Sequence, residues 1–380
     1  MQNKINLLDQ YGLINYQNFK PISDTKNLAR IIFVAKNSYK ALTNDGIVVC
    51  FVKGSNIHYK FNSDSELPKV GDFVFLQNNT DNININNHYF IKQILPRKNT
   101  LKRKIAGEQQ KEQIIATNID YAFITISLDE QFNVIKAKRI LISVLDSNIK
   151  PVFILTKSDL TSDIEAKKIE VSDYFKDIID NLEIIATSII DPITIKPIYK
   201  FLYNKDQNLI NTGVFIGSSG SGKSSIINIL LNSNIQKTAD VSNLEQKGRH
   251  TTTSREMFLL PPQEGNIYGG IIIDTPGMRE FGLFLDDNNA IDQGFKQISE
   301  LSLKCKFHNC SHTNEPHCAV QDAILNNLLN QEQLNEYRKL KHQNEEFESK
   351  LLENKLKDKK YKYQKEQQKY NIKHIKKNID

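Results

Sequence analysis

The sequence predicts three folded parts in series: an N-terminal β-barrel, a central α/β domain with a mostly parallel sheet, and a mostly helical C-terminal domain around a metal site. Three observations predict this arrangement. Five short apolar runs fall between Ile31 and Leu95, strand-like and helix-like stretches alternate from Ile119 to Asp274, and three of the four Cys lie between Cys305 and Cys318. At 380 residues the chain has material for two or three domains with buried cores.

Residues 1–29 are polar, rich in Asn and Gln, and show no sustained period, which predicts an extension of undetermined order. The barrel, residues 30–98, is expected from the runs Ile31–Val34, Gly46–Val52, Ile57–Phe61, Gly71–Leu76 and Tyr89–Leu95. Short strands so closely spaced suggest a small closed barrel, and both an oligonucleotide-binding (OB) barrel and an SH3-like barrel accommodate five. The Asn-dense stretch Gln77–His88 reads as a loop, and Cys50, alone in an apolar run, as a core residue.

Residues 99–284 carry the α/β pattern. Strands are expected at Ile119–Ile126, Pro151–Leu155, Leu182–Ala186, Gly213–Ile216 and Gly270–Ile273, and helices at Asn133–Ser147, Ile164–Ile179, Ile193–Leu202 and from Lys223. Such alternation implies parallel strands with helices on both faces.

Three motifs sit at strand ends in this part. The run Gly217-Ser218-Ser219-Gly220-Ser221-Gly222-Lys223-Ser224, continued by Ser225, follows an apolar strand and opens an amphipathic helix. Glycines there let backbone N–H groups converge on phosphates, Lys223 reaches the β and γ oxygens as a catalytic group, and the Ser224 hydroxyl suits Mg²⁺. Asp274 ends a buried aliphatic run and fits a Mg²⁺ ion reached through water, while Gly277 offers an unhindered N–H to a γ-phosphate. Thr156-Lys157-Ser158-Asp159 selects the base: Asp159 can accept from guanine N1–H and the exocyclic amine, whereas adenine would leave it unpaired.

Lys157 is expected to pack its stem over the base, and Thr156 stands where many GTPases have Asn. Ala186-Thr187-Ser188 could touch the guanine oxygen through backbone N–H groups. The base-reading motif precedes the phosphate loop, an inversion of the usual order. The domain therefore reads as a circularly permuted GTPase domain that binds GTP or GDP with Mg²⁺.

Between the phosphate loop and Asp274 lies Gly248-Arg249-His250-Thr251-Thr252-Thr253-Ser254, a polar stretch placed to sense γ-phosphate. One of Thr251, Thr252 and Thr253 is the expected Mg²⁺-binding switch residue; Thr252 is taken for the role, and the sequence does not decide among the three. Met278 occupies the place of the water-orienting Gln of Ras-like GTPases, so a partner or another residue such as His250 must complete hydrolysis.

Residues 285–345 form the third part. Cys305, Cys310, His312 and Cys318 supply three thiolates and one imidazole, a closed tetrahedral set for one structural Zn²⁺. His308 and His317 lie nearby, but the first falls where the loop must turn and the second is adjacent to Cys318. A last long helix is expected from about Asn330.

Composition is that of a soluble globular protein, with 39% hydrophobic and 25% charged residues. The N-terminus lacks an apolar signal core, and no run approaches the roughly 18 apolar residues that span a membrane, so a cytoplasmic protein with no membrane partner is expected. Net charge is +6, and the tail 346–380 holds eleven Lys against six Asp or Glu. Together with Arg97-Lys98 and Lys102-Arg103-Lys104, this tail suggests contact with polyphosphate.

Taken together, Leu95-Pro96-Arg97-Lys98-Asn99, the Thr156 and Gly217 motifs, Gly248–Thr253, Asp274-Thr275-Pro276-Gly277, and the Cys/His set followed by Ala319-Val320 resemble the RsgA (YjeQ) family of bacterial small ribosomal subunit biogenesis GTPases. The resemblance spans about Ile31 to Leu340. It implies an OB barrel, a permuted GTPase domain and a zinc-binding helical domain that dock on the small (30S) subunit near the decoding region. It also implies late maturation of that subunit, with 16S rRNA and proteins as partners, subunit-stimulated GTP hydrolysis and release. By its match to the family's His before the threonines, His250 becomes the proposed catalytic residue. A monomer is the default expectation, and the alternative function is a GTP-dependent RNA-binding switch not tied to the ribosome. The Asn-rich start and Lys-rich tail depart from the family pattern.

Overall fold

A computed structural model describes residues 6–35, 38–52, 66–78, 89–104, 112–130, 132–218, 220–232, 255–263, 266, 268–274, 291–292, 294–342, 345–346 and 349. They divide into two compact units, one holding the N-terminal and α/β parts and the other beginning at Gln297.

Residues 6–19, whose order the composition left undetermined, are mostly helical. Helices α1 (Leu7–Gln10) and α2 (Leu13–Phe19) place Leu8, Leu13 and Tyr16 in the core. Polar Asn and Gln surround these three apolar residues, which fall on two separate short helices. Asn44 Oδ1 accepts from the Leu8 N–H at 3.2 Å, and the Tyr16 hydroxyl donates to the Pro96 carbonyl at 2.6 Å. These two bonds fasten the segment to the barrel at both ends.

Five strands close the barrel: β1 (Leu28–Val34), β2 (Tyr39–Thr43), β3 (Gly46–Phe51), β4 (Phe73–Asn78) and β5 (Tyr89–Ile94). Pairing runs β1–β2–β3–β5–β4 and back to β1, with only β3–β5 parallel. The sequence reading lacked β2, whose Tyr39-Lys40-Ala41-Leu42 is too short and mixed to stand out. The expected strand Ile57–Phe61 lies outside the described residues, as does most of the Asn-dense loop. Alternate residues Ala29, Ile31, Tyr39, Ala41, Cys50, Val74, Leu76 and Ile91 fill the barrel interior. Burial pushes the Cys50 thiol up to about 12, which keeps it an inert core group.

The basic run Lys102-Arg103-Lys104 lies in a hairpin of β6 (Thr100–Lys104) and β7 (Glu112–Thr117). Arg97 makes a two-pronged ion pair with the fully buried Asp72 at 2.8 Å, and Lys98 pairs with Asp120 at 2.8 Å. Arg97 is thereby tied to a fully buried carboxylate, whereas Lys98 stays exposed while it pairs with Asp120.

The α/β part follows with β8 (Tyr121–Ser127), α3 (Val134–Asp146), β9 (Lys150–Thr156), α4 (Ile164–Phe175) and β10 (Ile184–Ala186). A 3₁₀ segment Pro192–Ile198 leads into α5 (Tyr199–Leu202) and the small hairpin β11 (Tyr203–Asn204) and β12 (Leu209–Ile210). Then come β13 (Thr212–Gly217), α6 (Lys223–Leu230), β14 (Arg255–Leu259) and β15 (Ile271–Asp274). In space the strands run β10-β9-β8-β13-β15-β14, parallel except for β14.

Both faces of this sheet are buried. Ile124, Val214, Ile216 and Ile273 pack with α3 and α4, whereas Phe123, Phe215 and Ile272 pack with α5 and α6. Strand β14 continues past the α/β sheet into the barrel, pairing Phe33 with Glu256 and Val34 with Arg255. At the junction Arg30 is 1% exposed and donates to the carbonyls of Tyr11, Gly71 and Asn118 and to Thr212 Oγ1. One buried guanidinium thus satisfies carbonyls from the N-terminal helices, the barrel and the α/β part.

The second unit contains α7 (Lys296–Ser302) from Gln297 onward, α8 (Ala319–Leu325) and a helix at 331–342. Residues 351–380, which hold most of the Lys-rich tail, lie outside the described residues. Among the described residues no helix is long and apolar enough to cross a membrane.

Candidate nucleotide and metal sites

The candidate site gathers at the C-terminal ends of the parallel strands, the edge where open α/β sheets bind ligands. Strand β13 ends at Gly217, α6 starts at Lys223, and the intervening loop reverses the chain. Gly217 has no room for a side chain, since a Cβ would collide with Thr125 Oγ1 and lie 2.7 Å from the Thr125 carbonyl oxygen. Gly222, at φ 82°, is the left-handed cap that starts α6.

The loop is held from below. Ser221 Oγ lies 2.7 Å from Thr125 Oγ1 and donates to the Ser218 carbonyl at 2.8 Å. Lys223 Nζ donates to the carbonyls of Gly217 at 2.9 Å and Ser218 at 2.6 Å. Burial lowers the Lys223 ammonium to about 8, with the Asp274 charge opposing that fall. A phosphate entering the loop would replace those carbonyls as the ammonium's partner. Ser224 and Ser225 follow in the first turn of α6, and Ser219 lies outside the described residues.

Strand β9 delivers Thr156 to the same edge. Its hydroxyl donates to the Ser221 carbonyl at 3.0 Å, joining the base-reading motif to the phosphate loop. Lys157 takes a left-handed turn at φ 57°, and its Nζ pairs with Asp129 at 2.5 Å, beyond the end of β8. Ser158–Leu160 is a single 3₁₀ turn, fixed where the Ser158 N–H donates to the Thr187 carbonyl at 3.1 Å. Asp159 is exposed and accepts from the Ser188 hydroxyl. Thr194 Oγ1 in turn accepts from the Ser188 N–H at 2.9 Å.

Sequence reasoning offered residues 186–188 for backbone contacts only. The side chain of Ser188 instead aims the Asp159 carboxylate, and Asp129 positions Lys157. A Ser after a short strand carries no local signal of that contact.

Asp274 closes β15 beside the phosphate-loop strand, in register with Glu256 of β14. Burial raises the Glu256 carboxyl above its ordinary value, Lys40 opposes the rise and Asp274 adds to it. The Ser224 hydroxyl and the Asp274 carboxylate are both oxygen donors, a set that fits a hard cation such as Mg²⁺. His250, Thr251, Thr252, Thr253 and Gly277 lie outside the described residues.

In the second unit the donor atoms of Cys305, Cys310, His312 and Cys318 all lie within 4.8 Å of one another and could hold a metal ion. Cys305 Sγ is 3.8 Å from Cys318 Sγ and 3.7 Å from His312 Nδ1, and that nitrogen is 3.4 Å from Cys318 Sγ. Ser302 Oγ lies 2.9 Å from His312 Nε2 and donates to the Ile298 carbonyl at 2.7 Å, so it accepts from the ring and leaves Nδ1 facing the thiols. Burial lowers the His312 pKa and keeps the ring neutral, as a ligand must be. Among the described residues neither His308 nor His317 joins the cluster.

Comparison with known proteins gives concordant results. A family model described as RsgA GTPase matches residues 94–284. The chain is 37% identical over 346 residues to small ribosomal subunit biogenesis GTPase RsgA 1 of Bacteroides thetaiotaomicron, covering 90% of this chain and 91% of that protein. Its identity to the protein of the same name from Oceanobacillus iheyensis is 37% over 325 residues, covering 83% and 84%. Among solved structures, YjeQ from Thermotoga maritima aligns with TM-score 0.54 at 19% identity, over 84% of this chain and 98% of that one. YloQ, described as a circularly permuted GTPase, aligns with TM-score 0.53 at 23% identity, over 84% and 95%. The two structures share the fold: a permuted GTPase domain with an OB-like five-stranded barrel.

Proposed function

The chain belongs to the RsgA GTPase family, and from that premise we infer that it hydrolyses GTP in the biogenesis of the small ribosomal subunit. The observation that carries the nucleotide reading is the bond from Thr156 to the Ser221 carbonyl, which holds a base reader and a phosphate loop at one sheet edge.

In this reading Asp159, aimed by Ser188, accepts from the guanine edge while the Lys157 stem covers the base. Thr156 and Ser158 anchor that loop. The backbone of residues 217–225 cradles the phosphates, and Lys223 exchanges its carbonyl partners for β and γ oxygens. Ser224 and Asp274, with Thr252, would hold Mg²⁺, which neutralises charge on those oxygens when bound. Gly277 would give its N–H to the γ-phosphate, and His250 would act on the attacking water, because Met278 has no group to orient it.

The Cys305, Cys310, His312 and Cys318 set suits Zn²⁺: tetrahedral Zn–S bonds of about 2.3 Å put ligand sulfurs about 3.8 Å apart. The site has four protein ligands and so serves structure. We assign residues 1–29 to an N-terminal segment, 30–98 to the barrel, 99–284 to the GTPase domain, 285–345 to the zinc domain and 346–380 to the tail. As partners we propose 16S rRNA and proteins of the small subunit, with a monomeric cytoplasmic protein released after hydrolysis.

The test is GTP turnover, with ATP as control, with and without purified small subunits. Slow GTP turnover that rises by orders of magnitude with subunits is expected. Equal rates in both conditions would remove the subunit as activator.

A further inference from the structure

The sheet that joins the barrel to the α/β part carries one row of directly opposed residues. Lys40 on β2 is paired with Phe33 on β1, Phe33 with Glu256 on β14, and Glu256 with Asp274 on β15. All three pairings are antiparallel, so the four side chains share one face of the sheet. Lys40 is exposed and lays its Nζ 5.1 Å from the centre of the Phe33 ring. Glu256 is half-buried, with Asp274 on one side and the reach of Lys40 on the other.

Like charges directly opposite in a β-pair repel. Carboxylates at 256 and 274 therefore concentrate negative charge where β15 ends, beside the phosphate-loop strand. Lys223 offsets Asp274 from the β13 side, and Lys40 offsets Glu256 from the barrel side. A divalent cation meeting the Asp274 carboxylate would relieve the repulsion between the pair, whereas Lys40 competes for the same charge.

We propose that Glu256 is a positioning residue of the Mg²⁺ site, acting through Asp274 as a second carboxylate on that sheet face, with barrel Lys40 opposing it. This rests on the nucleotide reading above and adds two residues to it, one from the barrel. The row makes Mg²⁺ affinity respond to whatever draws Lys40 away, since an anion bound on that barrel face would remove the competitor.

The experiment is a Mg²⁺ titration of mant-labelled GDP binding to the full chain, comparing wild type, Glu256→Gln, Glu256→Asp and Lys40→Ala. Glu256→Gln is expected to raise the half-saturating Mg²⁺ concentration about tenfold, Glu256→Asp to restore most of it, and Lys40→Ala to lower it about twofold. In EDTA the variants should bind mant-GDP as wild type does. An unchanged Mg²⁺ midpoint in Glu256→Gln, or shifts of the same sign in Glu256→Gln and Lys40→Ala, overturns the proposal. Failure of wild type to bind mant-GDP would overturn the nucleotide reading itself, a different result.

Discussion

The hydroxyl of Thr156 donates to the carbonyl of Ser221 at 3.0 Å, and the two residues lie 65 positions apart in the chain. Both are buried. The bond ties the segment proposed to read the base to the loop proposed to hold the phosphates.

Thr156→Ala deletes that bond and leaves a buried carbonyl without its partner, a loss of about 1–3 kcal/mol. Guanine nucleotide affinity measured by calorimetry should fall by roughly 5- to 140-fold at 1.4 kcal/mol per decade. Thr156→Asn restores a donor at the same place and should recover most of the affinity. Equal binding by wild type and Thr156→Ala would show that the tether is dispensable.

Lys223 gives a pH dependence with a definite sign. Its pKa is about 8 in the folded chain against an ordinary 10.5, so between those values the unfolded chain holds more protons. The penalty for burying the ammonium is present below about pH 8 and fades toward pH 10.5, which makes this residue's contribution to stability rise across that window. Phosphate favours the ammonium, so binding takes up a proton above pH 8. Affinity for GDP should therefore weaken from pH 8 to 10, and proton uptake should show as a buffer-dependent heat. Equal heats in buffers of different ionisation enthalpy would contradict it.

Chelation should release one metal ion per chain and melt the second unit selectively, because its helices α7 and α8 have seven residues each and pack around the ligands. Metal analysis and circular dichroism check this. His312→Ala should lose the metal, and His308→Ala should keep it. Full metal content in His312→Ala would reassign the fourth ligand.

Tyr16 tests whether the N-terminal segment belongs to the fold. Its ring centre lies 4.5 Å from that of Phe73, and burial, reinforced by the Asp72 charge, pushes its hydroxyl up to about 12, so it stays a donor. Tyr16→Ala should cost about 3–5 kcal/mol, by analogy with other large aromatic truncations in cores. The expected readout is a drop of several degrees in the melting of the first unit. A melt unchanged within error would mean that the segment only decorates the surface.

Legibility in the sequence followed periodicity and spacing. The strands ending in Gly217 and Asp274 are unbroken aliphatic runs and stand out, as do the phosphate loop and the clustered thiols, because each is set by neighbours a few residues away. Strand β2, the β6–β7 hairpin and β14 are short and mixed in polarity, and they form because partner strands wait for them. The N-terminal helices were missed for the same reason: Leu8, Leu13 and Tyr16 are apolar islands whose burial depends on the barrel and Pro96.

By itself the sequence determined that a β-barrel precedes an α/β part, the order of the permuted motifs, and the thiols and imidazole that could hold a metal, since those features are local in the chain. Tertiary structure alone decided that Arg97 pairs with Asp72 and Lys98 with Asp120, and that Ser188 aims Asp159. It also decided that Thr156 does the tethering and that Lys40, Phe33, Glu256 and Asp274 form one row. Each of those is a pairing between residues distant in sequence, and a charge or hydroxyl acquires its role only when folding sets a partner within hydrogen-bond or Coulomb range.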